Sequence, residues 1–238
     1  MMSEHTSGVR VIVNADDLGH SQGPNRGIEE GHRHGIITSA SLMVNRPATA
    51  EGVRVAHRNP ALSVGLHLNV TDEDWEAVDL ADAAWVEREL EAQYALFCDL
   101  VGRPPTHLDS HHHIHWKSEH TPTFQRFAAE HSLPLRHYSS AEYIGHFYGQ
   151  WEHGVTELTP VQEPYLQELL EGFTPGLYEL ACHPGYVTPD LNSLYSIERE
   201  TELATLQSPV IRVLVDSLGI QLCSFATESV TPARENRK

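Results

Sequence analysis

No run of about 18 apolar residues occurs in the 238-residue chain, so no membrane-spanning helix is expected. Positive charge is scarce: 16 Lys and Arg stand against 33 Asp and Glu, a formal net charge of −17. That balance excludes the basic footprint of a DNA or RNA binder and any attraction to an anionic membrane surface. Cysteine is sparse too. Cys98, Cys182 and Cys223 are widely spaced and odd in number, which reads as reduced thiols in a cytoplasm. Residues 1–10 hold no apolar segment, so no signal peptide is expected and the location expected is cytoplasmic. No G-x-G-x-x-G follows the first β-rich run, against a dinucleotide site, and no G-x-S-x-G offers a serine nucleophile.

What the chain has in excess is histidine, 17 of them, more than Lys and Arg together. With 40% hydrophobic residues it can also bury a real core. Short β-branched runs alternate with helical patterns. Strands are expected at Val9–Asn14, Ser39–Val44, Leu62–Asn69, Thr106–His111, Leu133–Tyr138, Leu177–Cys182 and Ile220–Phe225. Between them lie helical stretches at Gly27–His34, Pro47–Arg58, Trp85–Val101, Pro122–His131 and Pro164–Leu170. Two more helices follow the sixth strand, the second capped by Ser208-Pro209. The spacing of Val86, Leu90, Tyr94, Phe97 and Val101 is helical, and Gly102 closes that stretch. The alternation predicts an α/β fold, about seven parallel strands closed or nearly closed with helices outside. Residues 1–230 are expected to form one domain and 231–238 a flexible tail.

Four polar clusters fall at expected strand ends, where a barrel of this kind builds its site. Asn14-Ala15-Asp16-Asp17-Leu18-Gly19 places two carboxylates side by side after a buried strand. A metal offsets their repulsion, with one Asp as ligand and the other as base; turn and helix capping is the plainer alternative. In Gly65-Leu66-His67-Leu68-Asn69, an extended strand turns Gly65, His67 and Asn69 to one face. The segment Thr106 to His115 holds five His and one Asp in ten residues. If extended, His107, Asp109 and His111 share a face, and further extension adds His113 and His115. Imidazole is the commonest metal ligand, and carboxylates orient ligating His from behind. Finally, His183 ends a strand before a Pro-Gly turn, where its pKa range suits acid catalysis. Converged on one rim, one or two carboxylates and two His with an open position make up a hydrolytic metal site.

These four motifs, with Gly35-Ile36-Ile37-Thr38-Ser39 and the stretch Arg199–Pro209, resemble the YdjC-like carbohydrate deacetylases. That family includes the chitooligosaccharide deacetylases acting on diacetylchitobiose. The resemblance runs along nearly the whole chain in the family's order. It implies a distorted (β/α) barrel related to polysaccharide deacetylases, which removes acetyl groups from N-acetylated sugars with one divalent metal. By motif position it implies Asp17, His67 and His111 as ligands, Asp16 as general base and His183 as acid. The connection Val70–Pro105 is shorter than in many members, and that stretch normally helps cover the sugar.

The expected function is therefore metal-dependent amide hydrolysis of an N-acetylated sugar or oligosaccharide. Glu179, on the strand face of His183, is expected to orient it, and Arg136 to contact substrate. Asp109, His113 and His115 are expected to support the site or the substrate. Trp116, Tyr138 and Tyr186 are expected to stack on sugar or simply to pack. Zinc suits two His and a carboxylate by ligand type; magnesium is the other expectation, although two imidazoles match it awkwardly. Two alternatives stand beside this reading: a two-metal phosphoesterase, which wants more carboxylate ligands, and a non-enzymatic His-rich metal buffer. The expected partner is a small sugar, with neither nucleic acid nor membrane, and a homodimer is the default assembly. His5, His57, His120, His131 and His153 lie in polar or helical contexts and are given no role.

Overall fold

The computed structural model describes residues 8–71 and 80–231. The strands are β1 (Val9–Leu18), β2 (Ser39–Leu42), β3 (Ser63–Leu68), β4 (Leu108–Ser110), β5 (Glu142–Ile144), β6 (Gly176–Cys182) and β7 (Gln221–Cys223). The helices are α1 (Gln22–His34), α2 (Thr49–Arg58), α3 (Ala83–Val101), α4 (Thr121–Glu130), α5 (Glu163–Glu171), α6 (Ile197–Leu206) and α7 (Pro209–Ser217). The sheet runs β4-β3-β2-β1-β6-β5, and β7 pairs with the start of β1. Every pairing is parallel. This is the expected α/β fold, a curved parallel sheet wrapped by helices, as in a distorted barrel.

Strand β1 is the spine. Nine of its ten residues are buried, because helices cover one side of the sheet and the barrel interior the other. Its apolar positions Val9, Val11, Val13 and Ala15 join the main core with Ile28, Leu42, Val64 and Leu66. The alternate positions face the inside, and from Asn14 onward they carry polar groups.

Two expected strands differ. The strand expected at Leu133–Tyr138 shrinks to one parallel bridge between Leu135 and Leu108, with Arg136 N donating to Leu108 O at 3.1 Å. Its neighbour Pro134 has no N–H to give a ladder. The sheet instead gains β5, Glu142–Ile144, which is short, partly exposed and carries no strong apolar alternation. The strand expected at Thr106–His111 covers only Leu108–Ser110 and then turns into a 3-10 turn, His111–Trp116. His112 and His113 sit at φ 53° and 52°, so the extended reading of the His tract ends at Ser110.

Helix α1 begins at Gln22, earlier than the expected Gly27, and Gly23 and Gly27 let it pack closely on the neighbouring turn. A Cβ on Gly23 would collide with the carbonyl of Tyr186, and one on Gly27 would lie 2.6 Å from Gly185 Cα. Spaced four apart, they share a helix face against which the His183–Tyr186 turn packs. Of the expected tail, only Thr231 lies within the described residues. Among the described residues no helix is long and apolar enough to cross a membrane.

Candidate active site

The C-terminal ends of β1, β3, β4 and β6 open into one cavity of about 1070 Å³. Asp16, Asp17, His67, His111, His113 and His183 all line it. Five sequence-expected residues and the acid candidate therefore converge on one rim. Adjacent residues on a regular strand point to opposite faces, yet Asp16 and Asp17 both reach the cavity. A register shift between Ala15 and Leu18, with Asp17 at φ 70°, provides the twist. Gly19 follows at φ 90°, and its N–H donates to Asn25 Oδ1 at 2.6 Å.

Asp17 Oδ1 lies 3.4 Å from His67 Nε2 and 3.3 Å from His111 Nδ1. Ring nitrogens of both His and a carboxylate oxygen of Asp17 fall within 4.8 Å of one another. Asp17 Oδ1 and His67 Nε2 are buried without a hydrogen-bond partner. Buried polar atoms without partners are costly, and a cation between them satisfies both. The donor set of one carboxylate and two imidazoles fits a first-row divalent ion.

Behind this trio, His67 Nδ1 donates to Asp109 Oδ1 at 2.7 Å. That bond fixes the tautomer and aims the Nε2 lone pair at the cavity, as carboxylates do behind metal-binding His. Burial opposes charge on His67, but Asp109 outweighs it and raises the pKa to about 10. A proton thus competes with a cation for Nε2. The other Asp17 oxygen accepts from Arg199 Nη2 at 2.7 Å. Burial works against the Asp17 charge, and Arg199 more than compensates, holding the carboxyl well below the usual range.

Asp16 has a different setting. Arg136 grips it with two N–H···O bonds of 2.7 Å. Asn14 Nδ2 donates to Asp16 Oδ1 at 2.9 Å and Ser41 Oγ at 3.3 Å. Burial again disfavours the charge, and Arg136 overrides it, so Asp16 stays anionic far below the ordinary carboxylate range. A second grouping, Asp16, His67 and Asp109, also has donor atoms close together. Arg136 already ties its two carboxylates, through the Asp16 bonds and a 2.9 Å contact to Asp109.

Two expectations are corrected here. Arg136 is fully buried, is not among the residues lining the cavity, and touches Asp16, Asp109 and Glu179, so its guanidinium is committed to organising carboxylates. Glu179 accepts from Arg136 Nε at 2.7 Å and has no contact with His183. Burial raises the Glu179 pKa to about 7. The residue that holds His183 is Glu202, which accepts the His183 backbone N–H and also the Tyr195 hydroxyl. Burial raises Glu202 to about 8. The His183 ring puts Nε2 3.8 Å from Asp16 Oδ2, and burial lowers its pKa to about 4.

Arg199, Glu202 and Tyr195 were not legible as site residues. The available signal was a helix, α6, whose buried positions include Glu198, Arg199 and Glu202 at three- and four-residue spacing. Charge on a helix's buried face needs partners, and here the site supplies them. Of the three aromatics named from sequence, Trp116 lines the cavity. Tyr138 packs on the core and meets Thr121, and Tyr186 pairs with Glu30 and Arg26, both away from the cavity. Tyr143, Tyr148, Trp151 and Tyr195 line the cavity instead.

A buried carboxylate and two imidazoles that could hold a cation open into a cavity at the strand ends of a parallel α/β sheet, the place where barrel hydrolases build their sites. The chain belongs to the YdjC-like family: residues 10–217 match the family described as YdjC-like protein. A chitooligosaccharide deacetylase of Yersinia enterocolitica is 34% identical over 255 aligned residues, covering 91% of this chain and 98% of the relative. Its Yersinia pestis counterpart is 32% identical, covering 90% and 97%. Among solved structures, a protein of Enterococcus faecalis V583 described as a candidate cellobiose-phosphate cleavage protein superposes with TM-score 0.78 at 24% identity, covering 92% of this chain and 98% of that one. A family 4 carbohydrate esterase from Streptomyces lividans, in complex with acetate, has the same fold at TM-score 0.57 and 13% identity, covering 95% and 98%.

Proposed function

We propose that this protein is a metal-dependent carbohydrate N-deacetylase, acting on an N-acetylated amino sugar or a short chitooligosaccharide. The observation that carries the reading is the Asp17, His67 and His111 trio, with unsatisfied buried donor atoms, beside the separately held Asp16 and His183. Family membership and the named activity of the Yersinia relatives support the choice of an acetylated sugar.

In this reading Asp17, His67 and His111 hold one divalent ion. That ion, when bound, polarises an acyl carbonyl and makes water more acidic. Arg136 keeps Asp16 ionised and immobile, facing the cavity as a proton acceptor. The His183 ring, neutral at rest, has Asp16 and Asp17 nearby to stabilise its protonated form. It relays the accepted proton to the amine nitrogen as the C–N bond breaks. Water thereby supplies hydroxyl to the acyl carbon and a proton to nitrogen, giving acetate and the free amine. Trp116, Trp151 and Tyr148 offer flat apolar faces for sugar rings in a cavity near the upper end of the usual range of roughly 300–1,000 Å³.

The test is acetate release from N-acetylglucosamine, diacetylchitobiose and longer chitooligosaccharides, after stripping metal and restoring zinc or magnesium separately. Metal-dependent release from at least one of these supports the reading. No release from any of them, with either metal, overturns it.

A further inference from the structure

A second group of imidazoles lies on the same cavity and takes no part in the chemistry above. His113, His115 and His137 bring ring nitrogens within 4.8 Å of one another. His113 and His137 line the cavity, while His115 is fully buried behind them. His113 Nδ1, His115 Nε2 and His137 Nε2 are each buried and without a hydrogen-bond partner. Three orphaned nitrogens in so small a volume need a shared partner more than three separate ones.

The far side of the rings is organised. His115 Nδ1 lies 2.6 Å from Ser110 Oγ, and His113 Nε2 lies 3.3 Å from the Tyr143 hydroxyl. His137 is stacked on Trp116, with ring centres 4.0 Å apart and planes 23° apart. Fixing the distal nitrogen is how proteins aim the proximal one at a metal. The backbone adds an independent sign. His113 and His137 sit at φ 52° and 66°, in the left-handed region that non-glycine residues enter only at a cost. Such strain gathers at functional sites, where surrounding structure holds it. Alternatives within reach are poor: an all-imidazole set has no carboxylate for magnesium or calcium.

We propose that His113, His115 and His137 form a second metal site, distinct from the Asp17 centre, for a zinc-like divalent cation with a nitrogen preference. Three imidazoles leave a fourth position open on such an ion, and two of the three residues, His113 and His137, line the cavity. The site was hidden in the sequence because His137 stands 22 residues or more from the His tract, beside an arginine, in a segment that reads as a plain strand.

The experiment counts metal and does not depend on activity. The full chain is stripped with chelator, loaded with zinc, passed through gel filtration and analysed for zinc per chain. The wild type is expected to retain two equivalents, His137→Gln one, Asp17→Asn one, and the double variant none. A zinc content unchanged in His137→Gln overturns the second site, whatever Asp17→Asn shows. Loss in His137→Gln with no loss in Asp17→Asn instead removes the first centre and keeps this one. If His137→Gln fails to fold, cobalt-loaded Asp17→Asn decides. Visible absorption of four-coordinate cobalt, quenched by His113→Gln, supports the site, and its absence overturns it.

Discussion

Arg136 holds Asp16 by two parallel hydrogen bonds of 2.7 Å while its Nε donates to Glu179 at the same distance. One guanidinium thus collects carboxylates from two strands inside the sheet's curve, and Asp109 adds a third at 2.9 Å. Removing the cation leaves buried negative charges facing one another. Arg136→Met is expected to destabilise the fold by about 3–5 kcal/mol, the usual cost of breaking a buried pair. Arg136→Lys keeps the charge but not the planar fork, so it should fold better than Arg136→Met and still lose most turnover. Denaturant unfolding of the two variants checks the order.

In the proposed centre Asp109 would act on the metal through His67. Asp109→Asn keeps the shape but removes the carboxylate that accepts from Nδ1 and fixes the tautomer. Metal affinity at the Asp17 centre is expected to fall about 10–100-fold. Competition with a chelator of known affinity measures it; an unchanged value would separate Asp109 from the metal centre.

The turn that carries His183 rests on two glycines of α1. Gly27→Ala places a methyl 2.6 Å from Gly185 Cα, where neither backbone can yield without moving the turn. A displacement near 1 Å at a reacting group can cost about 10²-fold in rate. The expected result is a loss of kcat of that order with zinc content intact, because none of the proposed ligands Asp17, His67 and His111 lies on this turn.

Buried groups set the pH dependence of stability. Burial lowers His107, His137 and His183 to about 4, so the unfolded chain binds more protons than the folded one between about 4 and 6.5. Stability therefore rises with pH across that window. Burial raises Glu179 to about 7 and Glu202 to about 8, so there the folded chain binds more protons and stability falls as pH rises from the ordinary carboxyl range. His67, raised to about 10, extends the decline above 6.5. The chelator-stripped protein should have its highest Tm near pH 6–7. Glu202→Gln should flatten the alkaline fall, measured by thermal melts from pH 4 to 9. A Tm that climbs steadily to pH 9 would contradict this account.

Much of this was legible in the residues. Strand β1 announced itself because Val9 to Val13 is β-rich and ends in Asp16-Asp17, and the family resemblance singled out His67 and His111, whose ring nitrogens the fold brings beside Asp17. Hidden were features that depend on the third dimension. Arg136 looked like a substrate contact because nothing local shows that three acidic side chains from other strands surround it. Glu179 shares a strand face with His183, yet the stronger attraction of a buried guanidinium claims it. The His tract alternates as a strand would, but φ values near 50° at His112 and His113 break the alternation and carry His113 toward His137. Helix α6 gave no chemical motif, although Arg199 and Glu202 reach the site from it.

The central claim is that Asp16 and Asp17, adjacent in sequence, do different work: one moves protons and the other holds a cation. The most direct measurement is acetate release and bound zinc in parallel for Asp16→Asn and Asp17→Asn, on the best N-acetylated sugar. Asp16→Asn is expected to keep the metal of the Asp17 centre and lose about 10²–10⁴-fold in kcat. Asp17→Asn is expected to lose one equivalent of zinc together with activity. Full turnover in Asp16→Asn, or undiminished zinc in Asp17→Asn, would contradict the account.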